Sequence, residues 1–226
     1  MGKRGRPRRP FPRPGLYRDA RSHRQVRHHR RGQPQVPRGC GRPGLQRRGQ
    51  CDRGFRLKLL GAILAGGQAR RFGSDKAQAL YQGVRLIDRV AAALAAQCES
   101  VVVCGREEAG FACIPDWPEA GLGPLGGLAA ALRHAEAGGF SHVLSAGVDV
   151  PDLPHDLAAM LAGEGAAIVE SQPVVGLWPV EAGAALAAFL ASGGRSLYRF
   201  ADHVAARRVE LAAPLMNVNR PKDLRG

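Results

Sequence analysis

The sequence predicts one α/β domain built on a single doubly wound, mostly parallel sheet. From residue 57 onward, short apolar runs rich in β-branched residues alternate with segments that carry apolar residues at helical spacing. A glycine-rich loop also follows the first apolar run, which is typical of a strand that leads into an anion-binding loop. Because ligands of such sheets bind beyond the carboxyl ends of the strands, we expect loops 65–76, 115–127 and 149–153 to lie on one edge.

Each predicted strand is an apolar run too short for a helix, and each predicted helix carries an apolar stripe. The strands are expected at 57–64, 100–104, 111–114, 142–148, 166–169, 173–177 and 205–211. The helices are expected at 85–98, 125–137, from 154 onward, at 179–191 and at 195–201, with a terminal turn at 220–224. In the helix that starts at Pro154, Leu157, Met160 and Leu161 are predicted to face the core, and Asp156 favours its positive end.

Residues 1–56 differ from residues 57–226 in charge. They hold 18 Lys and Arg against 2 Asp and Glu, a net charge of +16, whereas residues 57–226 carry a net charge of −2. The segment is rich in Arg and Pro and poor in aliphatic residues, so it is predicted to be disordered. Three interpretations compete: a basic arm for nucleic acid or an acidic partner, a targeting segment, or upstream sequence included through a mis-assigned start.

The third interpretation is favoured for residues 1–56. The segment has 17 Arg and one Lys, as expected of translated GC-rich DNA, and no apolar stretch of a secretory signal follows it. The five cysteines show no metal-binding spacing, and no run of 18 apolar residues would span a membrane. We therefore expect a cytoplasmic protein with free thiols, no membrane segment and no nucleic-acid partner.

The loop after the first strand carries the strongest functional signal. From Leu64 to Lys76 it reads LAGGQARRFGSDK, and it combines main-chain N–H groups with the cations of Arg70, Arg71 and Lys76. The spacing is neither that of a P-loop nor that of a dinucleotide fingerprint. Three cations in one turn favour a polyphosphate site over an ordinary tight βα turn.

An apolar strand delivers Asp149 to its carboxyl end, where a carboxylate suits Mg²⁺ held jointly with substrate phosphates. The alternative is that Asp149 or Asp152 only caps the helix starting near Pro154. Asp152 fits that alternative well, whereas Asp149 lies too far upstream. We therefore predict Asp149 as the metal ligand.

Two further segments have polar residues that suit a ligand. Asp116 precedes a loop that opens a helix with Gly-Pro-Leu-Gly-Gly, and its carboxylate suits a guanine N1–H and amine; it is otherwise a solvated loop residue. Asn217 and Asn219 lie two residues apart and point to the same side of an extended segment; alternatively Asn219 caps the last turn. Gln172 stands at the start of a predicted core strand, and a place in the core does not explain its polar side chain.

These segments, in this order over residues 58–224, resemble the molybdenum cofactor guanylyltransferases, a family of MobA-like nucleotidyltransferases with a Rossmann-like fold. The resemblance implies transfer of GMP from GTP to the terminal phosphate of molybdopterin, with release of pyrophosphate and use of Mg²⁺. It implies nucleotide binding by Leu64, Ala65, Gly66, Gly67, Lys76, Asp116 and Asp149 and catalysis by Lys76, Arg71 and Asp149. It also implies metal binding by Asp149 and a pterin side near Asn217 and Asn219.

The chain departs from the family pattern in two ways. The family's phosphate loop normally lies close to the N-terminus, which again favours a mis-assigned start for residues 1–56. Cys104 stands where the family often has an asparagine near the base, and a thiol is a weak hydrogen-bond partner. The partners implied are GTP, the molybdenum cofactor, and molybdoenzymes or other cofactor-biosynthesis proteins.

Two alternatives to guanylyl transfer stay open. One is a cytidylyltransferase acting on the molybdenum cofactor or on a polyol phosphate, although Gly-Pro-Leu-Gly-Gly after Asp116 favours guanine. The other is a non-catalytic nucleotide-binding module, against which the presence of Lys76 and Asp149 argues.

Overall fold

The computed structural model describes residues 57–66 and 75–224. The predicted extension 1–56 and two predicted site residues, Gly67 and Arg71, lie outside the described residues.

The described chain contains a sheet of seven strands and a separate two-stranded hairpin. The strands are β1 (Leu59–Leu64), β2 (Leu80–Tyr81), β3 (Val84–Arg85), β4 (Ser100–Cys104), β5 (Ala112–Ile114), β6 (His142–Gly147), β7 (Ala167–Val169), β8 (Gln172–Pro179) and β9 (Arg207–Val209). The helices are α1 (Leu86–Ala95), α2 (Pro124–Ala137), α3 (Leu157–Leu161), α4 (Ala182–Ala191) and α5 (Leu197–His203), with 3₁₀ turns at Lys76–Gln78 and Pro221–Leu224.

The seven-stranded sheet has the order β5-β4-β1-β6-β8-β7-β9, and only β8 runs against the other six. The chain moves outward from β1 to β4 and β5, and then returns to the other side of β1 as β6. The order of strands therefore reverses beside β1, and such a switch point is where an open α/β sheet binds its ligand. The predicted doubly wound, mostly parallel fold is confirmed.

Helices cover both faces of the sheet. On one face α2, α4 and α5 contribute Leu128, Leu186 and Phe200 to a core cluster, and on the other face α1 and α3 contribute Val90 and Leu157 to a second cluster. All six residues of β1 are buried, as expected for a central strand covered on both sides.

A buried polar contact fastens β6 to β8. Trp178 Nε1 donates to Ser145 Oγ at 3.0 Å, and that hydroxyl donates to the Val174 carbonyl at 2.9 Å. The Trp178 ring also stacks on Phe200, with 5.5 Å between the ring centroids. Strand β8 is the only strand antiparallel to the others in the described sheet. It is therefore bonded to β6 by side chains as well as by the main chain.

Three expectations for the segment after β6 are wrong. Helix α3 begins at Leu157 rather than Pro154, and Met160, predicted to face the core, is 43% exposed while Leu161 is buried. Asp152 does not cap this helix, because its carboxylate pairs with Arg89 Nη2 at 2.7 Å. With a single five-residue turn, α3 has room for one buried stripe, and Met160 falls outside it.

The remaining differences concern the ends of elements and one short hairpin. Helix α4 begins at Ala182 because β8 extends to Pro179, and Gln172 is the first residue of β8, paired with Val169. The sequence pattern does not predict the β2–β3 hairpin. Its turn residues Gln82 and Gly83 both have positive φ, 50° and 80°, as a tight two-residue hairpin turn requires.

Within residues 57–66 and 75–224, every helix is too short or too polar to cross a membrane.

Candidate functional site

A cavity of about 290 Å³ opens at the carboxyl ends of β1 and β6, beside the switch point of the sheet. It is lined by Leu64, Ala65, Gly66, Asp75, Lys76, Ala77, Arg106, Pro124, Gly147, Val148, Asp149 and Val174. The described parts of the three loops predicted to share one edge all contribute to this lining. That prediction is confirmed, and the loop after β4 joins them through Arg106.

Lys76 is held in the cavity by a 3₁₀ turn. Asp75 caps this turn, because its carboxylate accepts the Ala77 N–H at 3.1 Å. The Lys76 ammonium lies 3.3 Å from Asp149 Oδ2 and 3.5 Å from Asn219 Oδ1, and its side chain is 15% exposed. Three of the predicted site residues, far apart in sequence, therefore meet at one ammonium group.

Asp149 follows β6 directly and is fixed through its main chain. The Asp149 carbonyl accepts the Val218 N–H at 2.9 Å. Its carboxylate packs against Gly147 so closely that a Cβ there would have no room. The glycine is thus what lets the Asp149 side chain turn into the cavity toward Lys76.

The C-terminal segment reaches the cavity because Val218 is buried against Tyr81 and Leu86. Asn219 then contacts Lys76, whereas Asn217 Oδ1 is buried with no hydrogen-bond partner among the described residues. The alternative role of Asn219 as a cap is not what the structure contains. The Asn219 oxygen contacts Lys76 instead, and the carboxylate of Asp223, inside the terminal turn, accepts the Asn219 and Arg220 N–H groups at 2.9 and 2.8 Å.

Asp116 lies beside the cavity, behind Gly66, and is surrounded by glycines. A Cβ added at Gly66, Gly105 or Gly126 would come within 3.2 Å of the Asp116 side chain. Asp116 Oδ1 is buried and has no hydrogen-bond partner among the described residues. Burial raises the pKa of Asp116, and the Gly121 N–H opposes that rise. Asp116 therefore presents an acceptor oxygen that residues 57–66 and 75–224 leave unpaired.

Cys104, the residue that departs from the family pattern, is fully buried in the core. Burial raises the pKa of its thiol well above the usual range, so the sulfur is a neutral packing group. The Cys104 carbonyl accepts the Ala65 N–H at 3.1 Å. The Ala65 N–H is therefore already used within the protein.

Arg106 is a cavity residue that the sequence reasoning missed. Its guanidinium makes a two-pronged contact with the Asp75 carboxylate, at 2.7 and 2.6 Å, and holds the pKa of Asp75 below its usual value. Arg106 comes two residues after the end of β4. The rule that placed Asp149 at the end of a neighbouring strand would have placed Arg106 on the same edge.

A divalent cation fits this site only as a companion of the substrate. Across residues 57–66 and 75–224, no three His, Cys, Asp or Glu side chains cluster as metal ligands. Mg²⁺, however, is usually held by one or two carboxylates together with substrate phosphates. Asp149, at the cavity wall with a 27% exposed side chain, suits that arrangement.

Comparison with known families gives one match over most of the domain. The model of the MobA-like NTP transferase domain matches residues 61–208. The chain belongs to this family. The resemblance seen in its motifs is therefore confirmed.

The relatives of this family member include several named enzymes. The molybdenum cofactor guanylyltransferase of Cereibacter sphaeroides is 38% identical over 182 residues, covering 74% of this chain and 94% of that protein. The one from Rhodobacter capsulatus is 36% identical over 179 residues, covering 74% and 94%.

Solved structures share the fold at lower identity. Molybdopterin-guanine dinucleotide biosynthesis protein A from Archaeoglobus fulgidus has a TM-score of 0.59 and 21% identity, covering 74% of this chain and 95% of that one. The 2-C-methyl-D-erythritol 4-phosphate cytidylyltransferase of Thermus thermophilus has a TM-score of 0.54 and 17% identity, covering 74% and 95%. At these identities the likeness concerns the fold alone.

Proposed function

We propose that this chain is a molybdenum cofactor guanylyltransferase, which transfers GMP from GTP to the terminal phosphate of the molybdopterin cofactor and releases pyrophosphate. The observation that carries the proposal is the meeting of Lys76, Asp149 and Asn219 at one cavity beside the switch point of the sheet. The names and coverage of the relatives supply the substrate class.

The reaction asks the protein for positioning and charge rather than for a covalent catalyst. A phosphate oxygen of the cofactor forms a bond to the α-phosphorus of GTP. The bond from that phosphorus to the bridging oxygen of the β-phosphate breaks, and the bonding electrons leave with pyrophosphate. The Lys76 ammonium stabilises the negative charge that gathers on the phosphates.

Asp149 has two partners in this proposal. In the free protein its carboxylate pairs with Lys76 at 3.3 Å, which holds both side chains in the cavity. With nucleotide bound, Asp149 is the residue that would hold Mg²⁺ together with the phosphates. The ion would supply charge neutralisation of the phosphate oxygens. Arg71, expected to assist Lys76, stays a prediction because it lies outside the described residues.

The unpaired oxygen of Asp116 supports its assignment to the guanine base. Guanine presents an N1–H and an exocyclic amine as adjacent donors, and a carboxylate accepts from both. Cytosine and adenine lack this pair of donors. The thiol of Cys104 is buried and offers the base no hydrogen bond, so base choice in this proposal depends on Asp116.

Asn217 and Asn219 are proposed for the pterin side with different support. Asn219 is exposed and touches Lys76, so it lies where the acceptor phosphate would approach. Asn217 Oδ1 is buried without a described partner and is available to a donor of the ligand or to a water.

The test is pyrophosphate release by the full chain with Mg²⁺ and molybdopterin or its molybdenum-loaded form, comparing GTP with CTP and ATP. Turnover with GTP alone supports the proposal. Turnover with CTP instead would keep the chemistry and overturn the role of Asp116. No turnover with any nucleotide from folded protein would favour the binding-module alternative.

Two variants test the site, and a third serves as the matched control. Lys76→Ala and Asp149→Asn are expected to abolish turnover while the protein stays folded. Asp152→Asn removes a carboxylate only three residues from Asp149, but one that pairs with Arg89 outside the cavity, so turnover should be unchanged. Full activity in Lys76→Ala or Asp149→Asn would contradict the assignment. A cytoplasmic location and a partner molybdoenzyme stay predictions.

A further inference from the structure

A buried carboxylate outside the family motifs lies next to the Lys76 turn. The Glu108 side chain is only 4% exposed. Its two oxygens accept from Gln78 Nε2 at 2.9 and 2.8 Å and from Arg85 Nη1 at 3.1 Å. Arg106 Nη2 lies 3.1 Å from Glu108 Oε2 as an ion-pair partner. A buried charge is retained only when it is well paired, and these contacts meet that requirement.

The contacts of Glu108 reach both ends of the turn that carries Lys76. Gln78 is the last residue of the 3₁₀ turn, and it bonds to Glu108 directly. Asp75 caps the first residues of the turn and is bound by Arg106, which also contacts Glu108. One carboxylate, thirty residues further along the chain, therefore holds residues 75–78 at both ends.

We propose that Glu108 is a positioning residue that sets the Lys76 ammonium against the phosphates of the bound nucleotide. Glu108 does not line the cavity, so it acts through the turn and touches no substrate. This inference rests on the proposed function, since it takes Lys76 as the phosphate contact. Glu108 is not part of the motif that identifies the family, and nothing in the sequence pattern around it indicates this role.

Loss of the carboxylate would free the turn in two ways. Gln78 would lose its bonds to a charged acceptor and keep only its contact with Arg85 Nη1, at 3.0 Å. Arg106 would be left with Asp75 as its only described carboxylate partner. The Lys76 ammonium is carried on a flexible four-carbon stem, so a shift of the main chain at residues 75–78 would move it relative to Asp149 and Asn219. A purely structural role for Glu108, in which it merely neutralises Arg85 and Arg106, predicts the same loss of stability but no specific effect through Lys76.

The test is the GTP affinity of Glu108→Gln, measured by calorimetry with Mg²⁺ on the full chain, with thermal unfolding as the check on folding. Glu108→Gln keeps the shape of the side chain and removes its charge. We expect affinity to fall about 5- to 20-fold. Glu107→Gln is the matched control, because Glu107 is exposed and adjacent, and its affinity should be unchanged.

The deciding comparison repeats Glu108→Gln in a Lys76→Ala background. If Glu108 acts through Lys76, the second substitution should change GTP affinity by less than about twofold there. The inference would be overturned if Glu108→Gln lowered GTP affinity equally in both backgrounds. It would also be overturned if Glu108→Gln lowered GTP affinity in neither background, including the otherwise wild-type chain. Unchanged affinity in Lys76→Ala itself would instead overturn the proposed phosphate site, so the two failures are distinguishable.

A second variant covers the case in which Glu108→Gln does not fold. Gln78→Met removes the direct anchor at the end of the turn, together with the bond from Arg85 Nη1 to Gln78, at an exposed residue. Both arginines stay paired with Glu108. The inference is supported if Gln78→Met lowers GTP affinity less than Glu108→Gln does, and if this loss disappears in the Lys76→Ala background. An unchanged affinity in Gln78→Met would overturn the role of the direct anchor.

Discussion

Gly105→Ala tests whether the surrounding glycines position the Asp116 carboxylate, which is proposed to bind the base. Gly105 has a φ of +83°, which alanine adopts only with strain. A Cβ at this position would lie 2.6 Å from Asp116 Oδ1 and 2.7 Å from Gly66 Cα. The second neighbour is main chain and cannot rotate away, so the loop after β1 or the Asp116 side chain must shift.

The expected cost has two parts. The left-handed backbone conformation costs alanine about 1–2 kcal/mol. The overlap adds about 1–3 kcal/mol, as overpacking of a tight interior does. The free energy of unfolding should therefore fall by about 2–5 kcal/mol. GTP affinity should fall at least about tenfold, because a hydrogen bond to a charged group contributes about 1.5–3 kcal/mol.

Gly193→Ala is the matched control. Gly193 has nearly the same φ, +87°, but nothing lies within 4 Å of an added Cβ, and it is far along the chain between α4 and α5. Urea unfolding of both variants separates the conformational strain, which they share, from the contact, which only Gly105 makes. Equal destabilisation of the two variants, with unchanged GTP affinity in Gly105→Ala, would refute the reasoning.

Three further predictions concern pH, a helix face and a buried hydrogen bond. Burial raises the pKa of Asp116 above 3.8, so GTP binding to the ionised carboxylate should weaken as the pH falls through that raised value, measured by calorimetry. In the free protein the effect of pH has the opposite sign. The free energy of unfolding should fall as the pH rises from 3.8 to the raised pKa of Asp116, and Asp116→Asn should abolish this pH dependence. Met160→Gln should change the free energy of unfolding by under about 0.5 kcal/mol, whereas Leu161→Ala should lower it by about 2–5 kcal/mol. Trp178→Phe, which removes the hydrogen bond to Ser145, should cost about 1–3 kcal/mol in the same urea assay.

The sheet was predictable because its strands are buried on both faces. Such strands are continuous apolar runs, and the predicted limits of Ser100–Cys104 match those in the structure. The errors fall where the apolar signal is weak or short. The hairpin strands have two residues each, and α3 has five, so neither is long enough to repeat its pattern.

The main site residues were also predictable, because each comes at the end of a strand or in a loop of unusual composition. Lys76 and Asp149 meet as the rule for parallel sheets requires. Arg106 was missed although its place two residues after β4 puts it on the same edge. Glu108 was not predictable, because its role depends on a contact with Gln78, thirty positions away. A single sequence contains no periodicity that reports such a contact.

The charges in the described cavity explain why a contact network is needed around Lys76. Each cation there already has a carboxylate partner: Lys76 pairs with Asp149, and Arg106 pairs with Asp75. A cavity with balanced charge attracts free phosphate weakly, since a bare anion would meet carboxylates as well as cations. A nucleotide that arrives with its own cation satisfies both signs, provided that Lys76 and Asp149 are already in place to exchange partners. In the proposed site the described charges therefore favour selectivity by position over selectivity by net charge, and positions are what Glu108 and the glycines around Asp116 are inferred to control.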